Sequence, residues 1–238
     1  PKYLLFLENA FPYMDNYNYH KGMNGIIQEL TGLLKKKNIG TDSDRALLLD
    51  FQATLEIKPE KAIKLEKDAL AQIENITADN ARLVSNLHAN LGGLYRMNGH
   101  PDLAREHMEK SISLLDQFNL LHINDSIPQI ANYAMFLTEQ QEPERGISEL
   151  QKLSGIIKEY HSDDCLDYAK VQETLGTIYL MTANLPQAKT HFKRAFKIYE
   201  KIWADEPEMI EAKYQEIQEL YPQIGFFIGK NLSGLLTK

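Results

Sequence analysis

Hydrophobic and small side chains recur along this sequence at a fixed interval of 42 residues. The column of large apolar residues consists of Leu49, Leu91, Tyr133 and Leu175. A small residue follows directly in the last three cases, at Gly92, Ala134 and Gly176, and a second small column lies at Ala62, Ala104, Gly146 and Ala188. The apolar residues between these columns have helical spacing. The pattern therefore predicts a helical repeat, and stacking of neighbouring repeats is required to bury its apolar face.

Prolines mark the start of the second helix in each repeat. Pro59, Pro101 and Pro143 stand 42 residues apart, and Pro186 follows with a shift of one residue. Proline suits the first turn of a helix because its missing N–H would be unpaired there anyway. The pattern predicts four antiparallel helix pairs, namely 43–57 with 59–75, 79–98 with 101–119, 126–140 with 143–160, and 164–182 with 185–204.

Both ends of the chain follow the repeat less closely. Pro12 and Pro222 occupy the same frame position inside what would be first helices, where proline interrupts helical hydrogen bonding. We therefore predict a single all-α domain over residues 1–238. Its parts are a degenerate N-terminal repeat, four full repeats and a degenerate C-terminal capping repeat, at residues 1–41, 43–204 and 206–238.

The second and fourth repeats resemble the tetratricopeptide repeat. The positions that carry the resemblance are Leu91, Gly92, Tyr95, Gly99 and Ala104 in the second repeat and Leu175, Gly176, Tyr179, Ala188, Phe192 and Ala195 in the fourth. The 42-residue period is similar to that of kinesin light chain repeats and many bacterial relatives. The first and third repeats depart from the family pattern, with Asp50 at the small position and Glu66 and Leu150 at the aromatic position of the second helix.

This resemblance implies an α-solenoid, a right-handed superhelix whose inner groove, lined by first helices, binds a peptide or a segment of another protein. The residues that the resemblance places in the groove are Asn86, Arg96, Met97, Met135, Glu139, Lys170, Glu173, Thr177 and Met181. Methionine is adaptable in apolar contacts, and Arg96 and Lys170 suit a carboxylate or a backbone carbonyl. The alternative interpretation is that Met97 and Met181 pack between hairpins and that the charged groups are only solvated.

The net charge indicates which partners are unsuitable, and the cysteine content indicates the cellular compartment. The net charge is −7 and no block of five or more Lys and Arg occurs, so the sequence lacks the footprint of a nucleic-acid or anionic-membrane binder. Cys165 is the single cysteine, which rules out an intrachain disulfide and favours a reducing compartment. We expect a cytoplasmic, bacterial protein that binds protein or peptide and contacts neither nucleic acid nor membrane through this domain.

Catalytic patterns are weak. No HExxH motif occurs, and the densest donor cluster, residues 161–165, is interpreted as a capped turn between helices. Residues 225–231 partly match a phosphate-binding loop, but the spacing between glycine and lysine is one residue short, and Asn231 replaces the required Ser or Thr. We predict no enzyme activity, no cofactor and no metal site.

Two functions remain open at this point. The first is a non-catalytic scaffold that binds protein or peptide in the groove, and the second is the peptide-sensing part of a bacterial transcription regulator whose DNA-binding part is absent. Both ends of the chain are apolar, at residues 3–7 and 224–236, which predicts a homodimer or contact with further repeats through an end.

Overall fold

The computed structural model describes residues 20–37 and 39–220. Within these residues all regular secondary structure is helical. The ten helices found there are α1 (His20–Lys37), α2 (Asp42–Thr54), α3 (Pro59–Leu70), α4 (Ala81–Met97), α5 (Pro101–Gln117), α6 (Ser126–Glu139), α7 (Pro143–Tyr160), α8 (Leu166–Met181), α9 (Leu185–Ile202) and α10 (Pro207–Leu220).

The four predicted hairpins correspond to α2–α3, α4–α5, α6–α7 and α8–α9. Pro59, Pro101 and Pro143 are the first residues of α3, α5 and α7, and Pro186 is the second residue of α9. The largest boundary error lies in the first hairpin, where α3 ends at Leu70 rather than at residue 75. The 42-residue spacing of helix pairs is confirmed.

The chain divides into two compact units, one ending at Leu120 and the other beginning at Leu121. In unit 1, α1 packs on α2 and the α2–α3 hairpin stacks on the α4–α5 hairpin. In unit 2, the α6–α7 hairpin stacks on the α8–α9 hairpin and α10 packs on α9. The predicted all-α architecture of stacked hairpins is thus confirmed within each unit.

The large apolar column contributes to the core of both units, since Leu91 in unit 1 and Tyr133 and Leu175 in unit 2 are at most 4% exposed. In unit 1, Met23 and Ile27 of α1 are fully buried against Leu48 and Phe51 of α2. This contact explains why α1, in a weakly patterned segment, forms a helix that packs on the first full repeat.

Close helix crossings explain the column of small residues. A Cβ atom at Gly92 would lie 2.6 Å from Cγ of Met108, and one at Gly176 would lie 2.9 Å from Cδ2 of Phe192. The large side chain of the second helix therefore fills the space that the first-helix glycine leaves open.

The two degenerate repeats are described only in part. Helix α1 belongs to the first of them and α10 to the second. Pro12, Pro222 and the apolar segments 3–7 and 224–236 lie outside the described residues. Among the helices that the structure does describe, none combines the length and the hydrophobicity that crossing a membrane requires.

Candidate partner-binding surface

In unit 1, the candidate surface is the side of α4 that does not enter the core. Leu87, Leu91 and Tyr95 turn into the core, with 5% exposure or less. Asn86 and Arg96 lie between this core stripe and solvent and are half-buried. Met97, the last residue of α4, is 81% exposed, so the interpretation that it packs between hairpins is wrong.

In unit 2, the candidate residues lie on α6 and α8. Met135 is half-buried and Glu139 is exposed, both on α6. On α8 the predicted residues Lys170, Glu173, Thr177 and Met181 follow one another at three- or four-residue intervals, so they share one face of the helix.

The candidate residues on α8 differ in how accessible their side chains are to a partner. Lys170 is exposed and lies 3.9 Å from Asp167. Met181 is 46% exposed at the end of the helix, against the interpretation that it is buried between hairpins. Thr177 is half-buried, and its hydroxyl donates to the backbone carbonyl of Glu173 at 3.1 Å. Lys170 and Met181 are therefore the α8 side chains most available to a partner.

The carboxylate of Glu173 holds three helices together. It accepts a hydrogen bond from the Tyr199 hydroxyl of α9 at 2.6 Å and pairs with the Lys213 ammonium of α10 at 2.9 Å. Lys213 also pairs with Glu216 at 2.9 Å. Burial and the charge of Glu173 raise the pKa of Tyr199. Burial alone would lower the pKa of Lys213, but Glu173 and Glu216 outweigh it and raise that pKa.

These contacts form one side of a pocket between α8, α9 and α10, which we call the α8–α10 pocket. Its volume is about 290 Å³. It is lined by Leu166, Lys170, Tyr199, Trp203, Met209, Ala212, Lys213 and Glu216. Trp203 is half-buried and stacks on Tyr199 with 4.8 Å between ring centroids, so the indole forms a fixed wall. Met209 is 44% exposed at the rim.

The repeat pattern did not indicate Trp203, which lies at the end of a second helix, or Met209 and Lys213, which lie beyond the last full repeat at residue 204. A signal was available in the frame itself. Adding 42 residues to Lys170 leads to Ala212 on α10, so α10 occupies the position of a further first helix. The small alanine at this position leaves the pocket open.

A wider cleft of about 680 Å³ lies between α1, α2 and α3 in unit 1. Two of its polar side chains are already engaged within the unit. The Arg45 guanidinium donates to the Gly40 carbonyl at 3.2 Å, and the Gln52 amide donates to the Thr31 hydroxyl at 3.3 Å. This cleft therefore offers a ligand fewer polar contacts than its size suggests.

The first repeat contains a carboxyl pair, half-buried at Asp50 and buried at Glu66, where other repeats have a small residue facing a large apolar one. Asp50 occupies the position of Gly92, and Glu66 occupies that of Met108. The side-chain amide of Asn90, from α4, donates to Asp50 at 2.8 Å and to Glu66 at 3.2 Å. Glu66 is 1% exposed. The two departures that the sequence shows separately therefore belong to one site.

Burial sets the protonation of this pair. It raises the pKa of Asp50, against the opposing hydrogen bonds from Glu66 and Asn90. Burial, together with the charge of Asp50, raises the pKa of Glu66 still further. Two carboxylates at one buried site cannot both ionise cheaply, so the pair retains a proton near neutral pH.

Histidines occupy equivalent positions in the second and fourth repeats. His107 stacks on Tyr95 with ring centroids 5.4 Å apart, and a hydrogen bond of 2.8 Å joins the Nδ1 atoms of His107 and His88. In the fourth repeat, Nδ1 of His191 lies 2.9 Å from Oε1 of Gln172, to which it donates. Burial and the nearby charges of basic groups lower the pKa of His88 to about 4.

Comparison with known proteins agrees with the fold. Residues 126–201 match a family model for the tetratricopeptide repeat. None of the curated proteins matches the sequence.

Solved structures extend the likeness to most of the chain. BtubC (BKLC) from P. vanneervenii is similar with a TM-score of 0.66 and 18% identity, over 87% of this chain and 83% of that one. The nearly identical TPR-like repeats assigned to a kinesin light chain of Podosopora anserina give a TM-score of 0.65 and 13% identity, over 83% and 94%. MamA gives a TM-score of 0.53 and 15% identity, over 79% and 94%.

These findings identify the type of repeat and the fold. Residues 126–201 match the tetratricopeptide repeat, and most of the chain shares the fold of kinesin-light-chain-type repeat structures, as the sequence predicted. Proteins with such repeats are generally non-catalytic scaffolds that bind other proteins.

Proposed function

We propose that this protein is a non-catalytic scaffold that binds a peptide or an extended segment of a partner protein along its first helices. The observation that carries the proposal is the recurrence of exposed methionine at the end of α4 and α8, at Met97 and Met181. Methionine is over-represented at adaptable binding surfaces, because its side chain is flexible and polarizable. A cytoplasmic setting is part of the proposal, because Cys165 is the single cysteine of the chain.

Polar groups on the same helices support this assignment. Arg96 lies one residue before Met97, and Lys170 shares its helix face with Met181. A cation on the same helix as an exposed methionine can bind a carboxylate or carbonyl of the partner, while the methionine adapts to another of its side chains.

The test compares two double variants with equal changes in charge. Arg96→Ala with Lys170→Ala removes cations from the first helices, whereas Lys110→Ala with Lys193→Ala removes exposed lysines from the second helices. Partners are captured with the parent protein from the source cells, identified by mass spectrometry and purified, and their affinities are then measured by fluorescence anisotropy.

We expect the first-helix variant to bind at least about tenfold more weakly, since a charge-assisted hydrogen bond contributes about 1.5–3 kcal/mol. The second-helix variant should bind like the parent, and both should keep the parent's circular dichroism spectrum. Equal affinity of all three proteins for every captured partner would remove the first-helix face from the binding surface.

A further inference from the structure

The α8–α10 pocket combines an apolar interior with a lysine, Lys213, whose charge is already compensated. Trp203 and Met209 provide its apolar wall and rim. The ammonium of Lys213 is held between Glu173 and Glu216, at 2.9 Å from each. Lys170, at the mouth of the pocket, lies 3.9 Å from Asp167. The charge of Lys213 is therefore compensated, whereas the exposed Lys170 remains available to a backbone carbonyl of a partner.

The surface around the pocket on α10 is acidic. Six side chains between residues 204 and 219 are Asp or Glu, and Lys213 is the single basic one. Glu208, Glu216 and Glu219 are exposed on the helix, and Asp205 and Glu206 are exposed in the turn before it. The basic residue of α9 nearest Trp203 in sequence, Lys201, is itself bonded to Asp164. An approaching segment thus meets an excess of carboxylates on the α10 side of the pocket.

The size of the pocket suits one side chain. At about 290 Å³ it lies at the lower limit of the roughly 300–1,000 Å³ that small-molecule sites occupy. A large apolar side chain inserted beside Trp203 would be surrounded by a polar rim, which is the arrangement of an anchor residue in a protein interface.

We propose that the α8–α10 pocket binds a basic segment of a partner protein, with one large apolar side chain of that segment inserted between Trp203 and Met209. Lysines or arginines on either side of the anchor pair with the acidic residues of α10 and the preceding turn. This inference rests on the proposed scaffold function, because Lys170 belongs to both surfaces, and it adds the chemical class of the partner.

Trp203 allows a direct test, since it is the only tryptophan of the chain. The probes are blocked synthetic peptides of nine residues: a leucine flanked by four lysines on each side, the same peptide with serine in place of leucine, and the leucine peptide with glutamates in place of all lysines. Each is titrated into the full chain at low ionic strength while Trp203 fluorescence is recorded.

We expect the lysine-leucine peptide to change the emission in a saturable way. The serine peptide should bind about tenfold more weakly or worse, because it cannot bury the leucine side chain. The glutamate peptide should show no binding, and the affinity of the lysine-leucine peptide should fall as salt is added.

A pair of leucine substitutions on α10 separates the pocket from the rest of the helix surface. Ala212→Leu fills the pocket at an exposed helical position, and Gln218→Leu adds the same group at an exposed position outside the lining. We expect Ala212→Leu to weaken binding about tenfold and Gln218→Leu to leave it within about twofold, because only the first removes the anchor site.

Three results would overturn the inference. Equal binding of the leucine and serine peptides, or of the Ala212→Leu variant and the parent, would mean that only the acidic surface attracts the peptide. Emission that changes with protein concentration alone would assign the pocket to a second copy of this chain. No change of emission with any peptide would exclude the basic partner, while the scaffold function would still be decided by the Arg96 and Lys170 experiment.

Discussion

Replacing the buried carboxyl pair with the residues of the third repeat is expected to stabilise the protein at neutral pH. The double variant Asp50→Ala with Glu66→Leu places the small and apolar side chains of Ala134 and Leu150 at the equivalent positions of the first repeat. Both new residues favour helix, and the exposed Asn90 amide, freed from the pair, can hydrogen-bond to water.

The expected gain follows from the raised pKa values of the pair. Carboxyl groups of the unfolded chain lose their protons near pH 4. A buried carboxyl that keeps its proton above that pH lowers the free energy of unfolding by about 1.4 kcal/mol for each further pH unit. One retained proton thus lowers the free energy of unfolding by about 3–4 kcal/mol at pH 7. The Asn90 hydrogen bonds, which the double variant loses, stabilise the parent protein by roughly 1 kcal/mol. We expect a net gain of about 2 kcal/mol at pH 7.

The sign of the pH dependence provides the assay. Because folding raises both pKa values, the contribution of the pair is fully present below the unfolded pKa and is lost as pH rises through the folded values. Urea denaturation followed by circular dichroism should show a difference between parent and double variant that is small near pH 4 and grows toward pH 8. Glu66→Gln should remove most of this dependence while keeping the side-chain shape.

The exposed acid of the same helix, Asp68, provides the control, since Asp68→Ala changes the net charge without touching the pair. The reasoning is refuted if the double variant is no more stable than the parent at neutral pH and the difference between them does not vary with pH.

Two further predictions concern single positions. Gly146→Ala should lower the free energy of unfolding by about 1–3 kcal/mol in urea denaturation, because the new Cβ would lie 2.6 Å from the Ala134 carbonyl oxygen. Gly155→Ala, in open space on the same helix, should raise this free energy by up to about 1 kcal/mol. Equal effects of the two substitutions would contradict a close helix crossing at Gly146. Because the pKa of His88 is low in the folded protein, protonation favours the unfolded chain below about pH 6.5. His88→Gln should therefore reduce the loss of stability between about pH 6.5 and pH 5 by up to about 2 kcal/mol. If the free energy of unfolding of the variant falls with pH over this range as steeply as that of the parent, His88 is not kept neutral.

The sequence predicts the helices well because their signals are local and repeated. Pro59, Pro101 and Pro143 each begin a helix, and the small residues after the large column lie at helix crossings. Repetition is what makes these signals readable, since each position is seen several times in one chain.

The contacts of the candidate site were harder to predict, because they join side chains from different helices and the repeat pattern does not indicate which of these side chains meet. Glu173 fits the frame as a groove residue, but its partners Tyr199 and Lys213 lie on two other helices. The carboxyl pair shows the same limit, since Asp50 and Glu66 each read as an isolated departure until the two helices are placed side by side.

The carboxyl pair also bears on how the repeats find their correct neighbours during folding. Hairpins with similar apolar faces can stack in the wrong order, a known failure of repeat proteins. Asn90 comes from the following hairpin and donates hydrogen bonds to Asp50 and Glu66. A misplaced hairpin without an amide at this position would lose both of these hydrogen bonds, at a cost of about 1–3 kcal/mol. The pair that weakens the native state at neutral pH therefore penalises its closest competitors more, and a chain rebuilt from uniform apolar repeats would gain stability while losing that discrimination.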